Sequence, residues 1–334
     1  AYAPHVFDRA GQMAAGGGVA AIVIGVTGSV LRARGQKHVT TYGSSRWATY
    51  RDIEEAGLYE GRGVFLGLKD GEYLRHNGPE HVMAFAPTRS GKGVGLVIPT
   101  LLDWTLSAII HEIKSENWEL TAGYRSQFGQ ALRFNPTSVT STRFNPLAEV
   151  RKGPNEVRDV QNIADILVDP DGSLERRDHW DKTAYTLLTG AILHVLYAEK
   201  NKTLSGVAEF LSDPDRDISD TLDHMLTTKH LAGFVRRRVH PIVAQCAREV
   251  KNKTAAERSG VVSTALTFLS LYRDPVVARA TSASDFQIAD LVSGPDPVSL
   301  YLAVPPSDVS RTRPLMRLML NQIARRLTES EYSL

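Results

Sequence analysis

The first pattern along the chain is an absence of charge. From Ala10 to Leu31 there is no Asp, Glu, Lys or Arg over 22 positions. About 20 apolar residues suffice to cross a bilayer core, so this run reads as a membrane-spanning helix. Asp8 and Arg9 precede it, and Arg32, Arg34 and Lys37 follow it. The excess of positive charge after the run puts its C-terminal side in the cytoplasm. Two other readings compete: a signal peptide and a glycine-rich helix buried in a soluble protein. A signal peptide carries its positive charges ahead of the apolar stretch, and here the order is reversed. Gly17, Ala21, Gly25 and Ser29 recur every four residues. Small side chains in one stripe let a second membrane helix approach closely. The expected order is a periplasmic segment at 1–9, a span at 10–31, and a cytoplasmic linker with one short helix at 32–60. That helix lies near Arg51–Ala56 and stops at Gly57.

Beyond residue 60, short apolar runs alternate with turn signals. Two of them flank Lys69-Asp70-Gly71-Glu72, and Asp-Gly between such runs predicts a hairpin. His81–Ala86 and Leu106–Ile113 read as buried strands, and Leu132–Asn135 as a third, with an apolar helical stretch at Leu96–Leu102. After Pro154 the period changes. Val157, Val160, Ile163, Ala164 and Leu167 fall at helical spacing, and so do Tyr185, Leu188, Ile192 and Leu196. Pro297–Val304 returns to strand character. It is followed by Pro305-Pro306 and a helix with Leu315, Leu318, Met319, Ile323 and Leu327 on one face. The pattern is α/β, then all-α, then α/β. The simplest account is one parallel-sheet core, from 61–150 and 291–334, with an all-α domain inserted at 151–290. There is no internal repeat and no low-complexity tract.

Composition changes this picture in two places. The chain has 334 residues, 42% hydrophobic and 23% charged, which suits about two folded domains and excludes a disordered chain. The 39 basic and 37 acidic residues nearly cancel, so nucleic-acid contact requires a local patch. One exists. Residues 234–258 hold seven basic residues against two acidic ones, whereas 209–225 hold six acidic residues against one basic. Arg236, Arg237, Arg238, Arg248, Lys251 and Lys253 are the candidates for contacting DNA phosphates without reading sequence. The competing reading pairs them with the acidic stretch or leaves them solvated. Trp180 reads as core rather than as a base-stacking platform. The single cysteine, Cys246, forms no internal disulfide and suits a reducing compartment. Because the first residue is Ala1, an upstream segment, including a further span, is expected.

Ala86-Pro87-Thr88-Arg89-Ser90-Gly91-Lys92-Gly93 follows an expected strand and precedes an expected helix, the setting of a phosphate-binding loop. Backbone N–H groups cradle phosphates at such a helix start, and a lysine reaches the β- and γ-phosphates. Thr88, Arg89, Ser90, Gly91, Lys92, Gly93 and Val94 are therefore the candidate nucleotide contacts. The sequence departs from G-x-x-x-x-G-K-[ST] twice, with Ala86 for the first glycine and Gly93 for the Mg²⁺-ligating hydroxyl. Ser90 or Thr88 would have to compensate, or the metal be held otherwise. A structural glycine turn with a solvated lysine is one alternative. A dinucleotide fold is another, since Glu112 lies 21 residues past Gly91, although the glycines run G-K-G-V-G.

Glu112 and Lys114 follow the second strand and are the candidate nucleotide-proximal residues. Glu112 is the one catalytic candidate, and a solvated turn is the alternative. His111-Glu112 is not a metalloprotease site, because position 115 is Ser. No other His, Cys or carboxylate cluster shows metal spacing, so no metal ligand is assigned. Hydrolysis also needs an apolar strand ending in Asp or Asp-Glu. Val298–Val304 ends in Pro305-Pro306 instead, and the expected ATPase site is incomplete.

HVMAFAPTRSGKGVGLVIPTLLDW, HEIKSENWELTAGYRSQFG and RFNP resemble the TraG/VirD4 family of type IV secretion coupling proteins, the conjugation ATPases of the bacterial inner membrane. TYGSSRWA, RSGVVSTALTFLSLYRDPVVARATSASDF and YLAVPPSDVSRTRPLMRLMLNQIARRL extend the resemblance over nearly the whole chain. The resemblance implies a two-span anchor, a RecA-like P-loop NTPase core binding ATP and Mg²⁺, and an inserted all-α domain. It also implies a homohexamer at the inner membrane, with the bulk of the chain cytoplasmic. Its partners would be DNA and relaxase or relaxosome, the secretion channel proteins and membrane lipid. Gly93 looks usual for this branch, whereas Glu112 stands where Asp is more common and Ser115 where Gly is more common. The family's Walker B Asp-Glu is expected beyond Leu334. Two function classes follow: an ATP-driven DNA translocase, or a nucleotide-binding receptor that recruits substrate without hydrolysis of its own.

Overall fold

The uncharged run lies inside one uninterrupted helix, α1 (Pro4–Gly35). The computed structural model of the chain describes residues 4–35, 46–170, 172, 177–232 and 238–331. At 1.5 Å per residue, the 32 residues of α1 span about 48 Å, more than the roughly 30 Å of a bilayer core. Its stretch His5–Arg34 has an apolar window of mean hydropathy 1.8, with none of that window buried in protein. The Thr27 hydroxyl donates to the Val23 carbonyl at 2.6 Å, so the helix satisfies this polar group internally. A short helix, α2 (Tyr50–Glu55), begins with a reciprocal cap. Thr49 accepts from the Asp52 amide, and Asp52 accepts from the Thr49 amide at 2.6 Å. Arg46 forks onto the same carboxylate at 2.6 and 2.8 Å, and these contacts hold Asp52 well below the usual carboxylate range. Gly57, at φ +66°, ends the helix where expected.

A second compact unit runs from Gly57 to Leu334. It opens with the expected hairpin, β1 (Val64–Lys69) and β2 (Glu72–His76), paired antiparallel with Lys69 opposite Glu72. Asp70 and Gly71 both have positive φ, 54° and 89°, as a tight two-residue turn demands. α3 (Ile98–Asp103) packs beside β1, whose Phe65 amide donates to Thr100 Oγ1 at 3.0 Å. Then follow β3 (Ala108–Glu112), α4 (Glu116–Arg125) and β4 (Gln130–Phe134). Among the described residues eight α-helices come next: α5 (Glu156–Val168), α6 (His179–Ala198), α7 (Leu204–Leu211), α8 (Ile218–Thr227), α9 (Pro241–Lys251), α10 (Ala255–Phe268), α11 (Pro275–Ala280) and α12 (Ile288–Ser293). β5 (Val298–Ala303) and α13 (Val309–Glu331) close the described chain.

β5 lies between β3 and β4 and runs parallel to both, with Ile110 beside Tyr301 and Leu132 beside Leu300. All six of its residues are buried. Strand alternation sorts them. Val298, Leu300 and Leu302 face a large helical core, while Tyr301 packs with Leu101, Ile110 and Ala122 on the other face. The class is therefore the α/β one expected, with the helices interposed between β4 and β5. These helices share one core with the sheet. α6 packs against α5, α7, α9 and α10, and Leu187 through Leu196 are buried around its whole circumference. A helix that is apolar all round belongs in a core, as this one does. On α13, Leu315, Leu318, Met319 and Ile323 are buried, but Leu327 is half exposed.

One expectation fails. His81–Ala86 is not a strand. It has no ladder partner among the described residues, and Val82, Met83 and Phe85 lie exposed. An apolar run becomes a strand only where a neighbour takes its backbone groups, and apolar content alone does not supply one.

Candidate functional site: a glycine loop and its surroundings

The loop at Thr88–Val94 is exposed, apart from the half-buried Lys92. Arg89 and Gly91 have φ of +64° and +88°. For Arg89 this is the sparsely populated left-handed region, a conformation that turns successive N–H groups outward. The amides of Arg89 and Gly91 donate to no protein acceptor among the described residues. The amides of Lys92 and Gly93 open a helix, so they have no partner within it. The first turn of that helix, Gly93–Val97, is wound with wider i→i+5 bonds, and the Ile98 amide reaches Gly93 O. Lys92 folds back over the loop. Its ammonium donates to the carbonyls of Ala86 and of Pro87, the latter at 2.8 Å, and lies 3.4 Å from Ser90 Oγ. The lysine thus occupies the loop's own acceptors and would exchange these carbonyls for a stronger anionic partner. Free amides, a helix start and one lysine suit a polyphosphate. Gly93 offers no hydroxyl for Mg²⁺, while Ser90 and Thr88 do.

Glu112 ends β3 and is buried. Its carboxylate accepts the amides of Asn117 at 2.8 Å and Trp118 at 3.0 Å, capping α4. This bond pattern uses a carboxylate against the positive end of a helix. The turn between is tight. Ser115 sits at φ +59°, the left-handed region that favours glycine. Lys114 is exposed on that turn.

The basic candidates divide. Arg236 and Arg237 lie outside the described residues. Arg238 is exposed, its backbone exchanging two 2.9 Å hydrogen bonds with Leu231. Arg248 is exposed and makes no ion pair among the described residues. Lys251 pairs with Asp223 of α8, and Lys253 pairs with Glu257 at 2.7 Å. Arg258 spends one nitrogen on the carbonyls of Lys251 and Lys253. Of these contacts only the Lys251–Asp223 pair joins the basic stretch to the acidic one, since Glu257 belongs to the basic stretch itself. Trp180 is 40% exposed, so the core reading of it is corrected. Its ring lies against α10 at Gly260, where a Cβ would fall 2.5 Å from it.

Sequence spacing gave no metal-type cluster, yet the fold builds a histidine cluster. His194 on α6 lies 2.9 Å from His230 and 3.3 Å from Glu199, with His224 of α8 beside it. His240 reaches Glu156 at 3.0 Å, and Tyr197 donates to the same carboxylate. Burial, with the neighbouring His230 and His224, pushes His194 down to about 3; burial pushes His230 down to about 4. Both are neutral at ordinary pH. These residues come from five segments, which no local motif could have shown.

Residues 38–332 match the family described as type IV secretory system conjugative DNA transfer. The chain belongs to that family. Within it the relatives are of the TraG/VirD4 coupling-protein kind. The chain is 44% identical over 361 residues to a conjugal transfer protein TraG of Escherichia coli, covering 98% of this chain and 55% of that protein. It is 29% identical to a VirD4 protein of Rhizobium radiobacter, covering 90% of this chain and 43% of that one. The chain thus spans about half the length of the curated relatives it matches. Among solved structures, plasmid coupling protein TrwB in complex with ADP and Mg²⁺ superposes with a TM-score of 0.47 at 15% identity, covering 71% of this chain and 50% of that one.

Proposed function

We propose that this chain carries the nucleotide-binding and membrane-anchoring part of a conjugative coupling protein. In this reading ATP, with Mg²⁺, binds at Thr88–Val94, and the whole protein, as a P-loop ATPase, recruits DNA with its relaxase and pumps it toward a type IV secretion channel. The observation that carries the reading is the family match across residues 38–332, within which the glycine loop and Lys92 lie. The chemistry of the loop supports it. Outward amides and a long-stemmed lysine bind phosphates, and Ser90 or Thr88 supplies the hydroxyl that Gly93 lacks. Bound ATP supplies the free energy of phosphoanhydride cleavage.

In the same reading residues 10–31 cross the inner membrane, with 1–9 periplasmic and the rest cytoplasmic. The 61–150 and 291–334 segments form the NTPase core, the 151–290 helices the inserted domain, and the assembly is a homohexamer. Arg238 and Arg248 are the solvated cations available for DNA phosphates, with Lys251 and Lys253 held in ion pairs. Binding of ATP and of AMP to the purified chain tests the proposal. Saturable ATP binding that AMP does not match is expected, since only ATP presents β- and γ-phosphates to Lys92. Equal affinity for the two, or none, contradicts it.

A further inference from the structure

We propose that His194, Glu199 and His224 form a binding site for a divalent transition-metal ion of the zinc class. Their ligand atoms converge. His194 Nε2 lies 3.3 Å from Glu199 Oε1, and His224 Nε2 lies 3.6 Å from the same oxygen. All three ligand atoms fall within 4.8 Å of one another. Charge-assisted hydrogen bonds close to about 2.7–2.9 Å, so these contacts are splayed. Bonds of about 2.0–2.2 Å from zinc to nitrogen and oxygen put tetrahedral ligands roughly 3.3–3.6 Å apart, which matches the two separations. Two imidazoles and a carboxylate are also the donor set of that ion class.

The ligands are held by separate elements. His194 projects from the buried helix α6, Glu199 is its C-terminal cap, and His224 comes from α8. His194 is wholly buried and stacks on Phe210 at 4.5 Å, so its ring is fixed. Glu199 and His224 reach solvent, and Glu199 also lines an open cleft of about 560 Å³ with Phe210, Asp213 and Arg216. The cleft gives a cation an access route, and a fourth coordination position is left for water.

The proton balance makes the proposal specific. The His240 amide donates to His230 Nδ1 at 3.2 Å, so a neutral His230 carries its proton on Nε2 and donates it to His194 Nδ1. His194 then holds its proton on Nε2, toward Glu199. A metal ion at His194 Nε2 moves that proton to Nδ1, where it is donated to His230 Nε2. His230 must in turn hold its proton on Nδ1, facing the His240 amide. Each ring keeps one proton, and the amide of His240 loses its acceptor. Other ring nitrogens near by do not compete, because His240 Nδ1 accepts the Ile242 amide and its Nε2 is turned to Glu156.

Titration of the full chain in detergent with cobalt(II), followed by zinc competition, tests this. One cobalt per chain with the intense visible bands of tetrahedral coordination is expected, displaced by zinc. His224→Ala and Glu199→Gln should each weaken binding by more than the roughly 10–100-fold typical of outer-shell changes. His179→Ala, which removes another His–Glu pair at 2.9 Å, should leave affinity unchanged. Circular dichroism checks that each variant folds, and both ligand positions are at least one-third exposed in their side chains. Zinc should also speed hydrogen exchange of the His240 amide. Absence of a stoichiometric cobalt spectrum, or wild-type affinity in folded His224→Ala, overturns the site. An unchanged His240 amide in the zinc-loaded chain removes His194 as a ligand and overturns it equally.

Discussion

The Arg125 guanidinium is fully buried and donates its Nε to Ser299 Oγ at 2.6 Å. Its other nitrogens reach the carbonyls of Leu101 and Leu106 at 2.7 Å each, and that of Trp104. No carboxylate joins them among the described residues. Burial lowers its pKa from the ordinary arginine value, yet the charge is kept by dipoles alone. One side chain thereby ties α4 to β5 and to the chain between α3 and β3. This fixes the helix that leaves the glycine loop against the sheet.

Arg125→Met removes the donors for those carbonyls. Each unsatisfied buried acceptor costs about 1–3 kcal/mol, so a loss of roughly 3–5 kcal/mol is expected. Ser299→Ala removes one charged bond and should cost about 1.5–3 kcal/mol. Urea unfolding of the three proteins checks both figures, and a loss below about 1 kcal/mol for Arg125→Met contradicts the tie.

Glu112 and Ser115 make a paired prediction. Glu112→Ala uncaps α4 and should cost about 1–2 kcal/mol. Ser115→Gly relieves a left-handed serine and should gain roughly 1 kcal/mol. Thermal unfolding reads both. If Glu112→Ala instead leaves stability intact and lowers ATP affinity, the residue serves the nucleotide rather than the helix.

The acid limb of stability should depend on Arg151. Its guanidinium pairs with Asp159 at 2.6 Å and Glu329 at 2.7 Å, joining α5 to α13. Burial raises the Asp159 pKa, but the Arg151 contacts outweigh it and hold the carboxyl below its ordinary 3.8. Arg151 holds Glu329 below its ordinary 4.5. Carboxyls depressed in the folded state stabilise it above their unfolded pKa and stop doing so as pH falls through the folded one. Stability should therefore fall below about pH 4.5 in the wild type. In Arg151→Gln it should fall less steeply from a lower plateau. Parallel curves for the two proteins would contradict the linkage.

The basic stretch divides into two kinds of residue, and salt separates them. Arg238→Ala with Arg248→Ala should leave the melting temperature unchanged. The log–log salt dependence of DNA binding should flatten by roughly 0.7–0.9 for each phosphate that is no longer neutralised. Lys251→Ala should instead cost up to about 1 kcal/mol of stability through its pair with Asp223. DNA affinity at two salt concentrations decides, and an unchanged slope in the double variant removes this patch from DNA binding.

Much of the fold was legible from period alone. The hairpin announced itself in Asp70-Gly71, β5 in a run apolar but for Ser299, and α5 and α6 in their spacing. His81–Ala86 carried the same apolar signal as β5 but not its neighbours, and a ladder is a tertiary fact. The buried role of Arg125 was not legible, since no residue type nearby in sequence foretells its carbonyl partners. The loop at Thr88–Val94 was legible as a motif because its chemistry is local. The histidine cluster was not, because its members are separated by up to 84 residues and meet only in the folded chain.

The central claim is that Lys92 and its loop bind the phosphates of ATP. Isothermal titration of the wild-type chain and Lys92→Ala with ATP and Mg²⁺ tests it most directly. Among the described residues the side chain is tied only to carbonyls of its own loop and to Ser90, so the melting temperature should not change. Removing a charge-assisted hydrogen bond worth about 3 kcal/mol lowers affinity by more than roughly 100-fold. ATP binding as tight in Lys92→Ala as in the wild type would contradict the account.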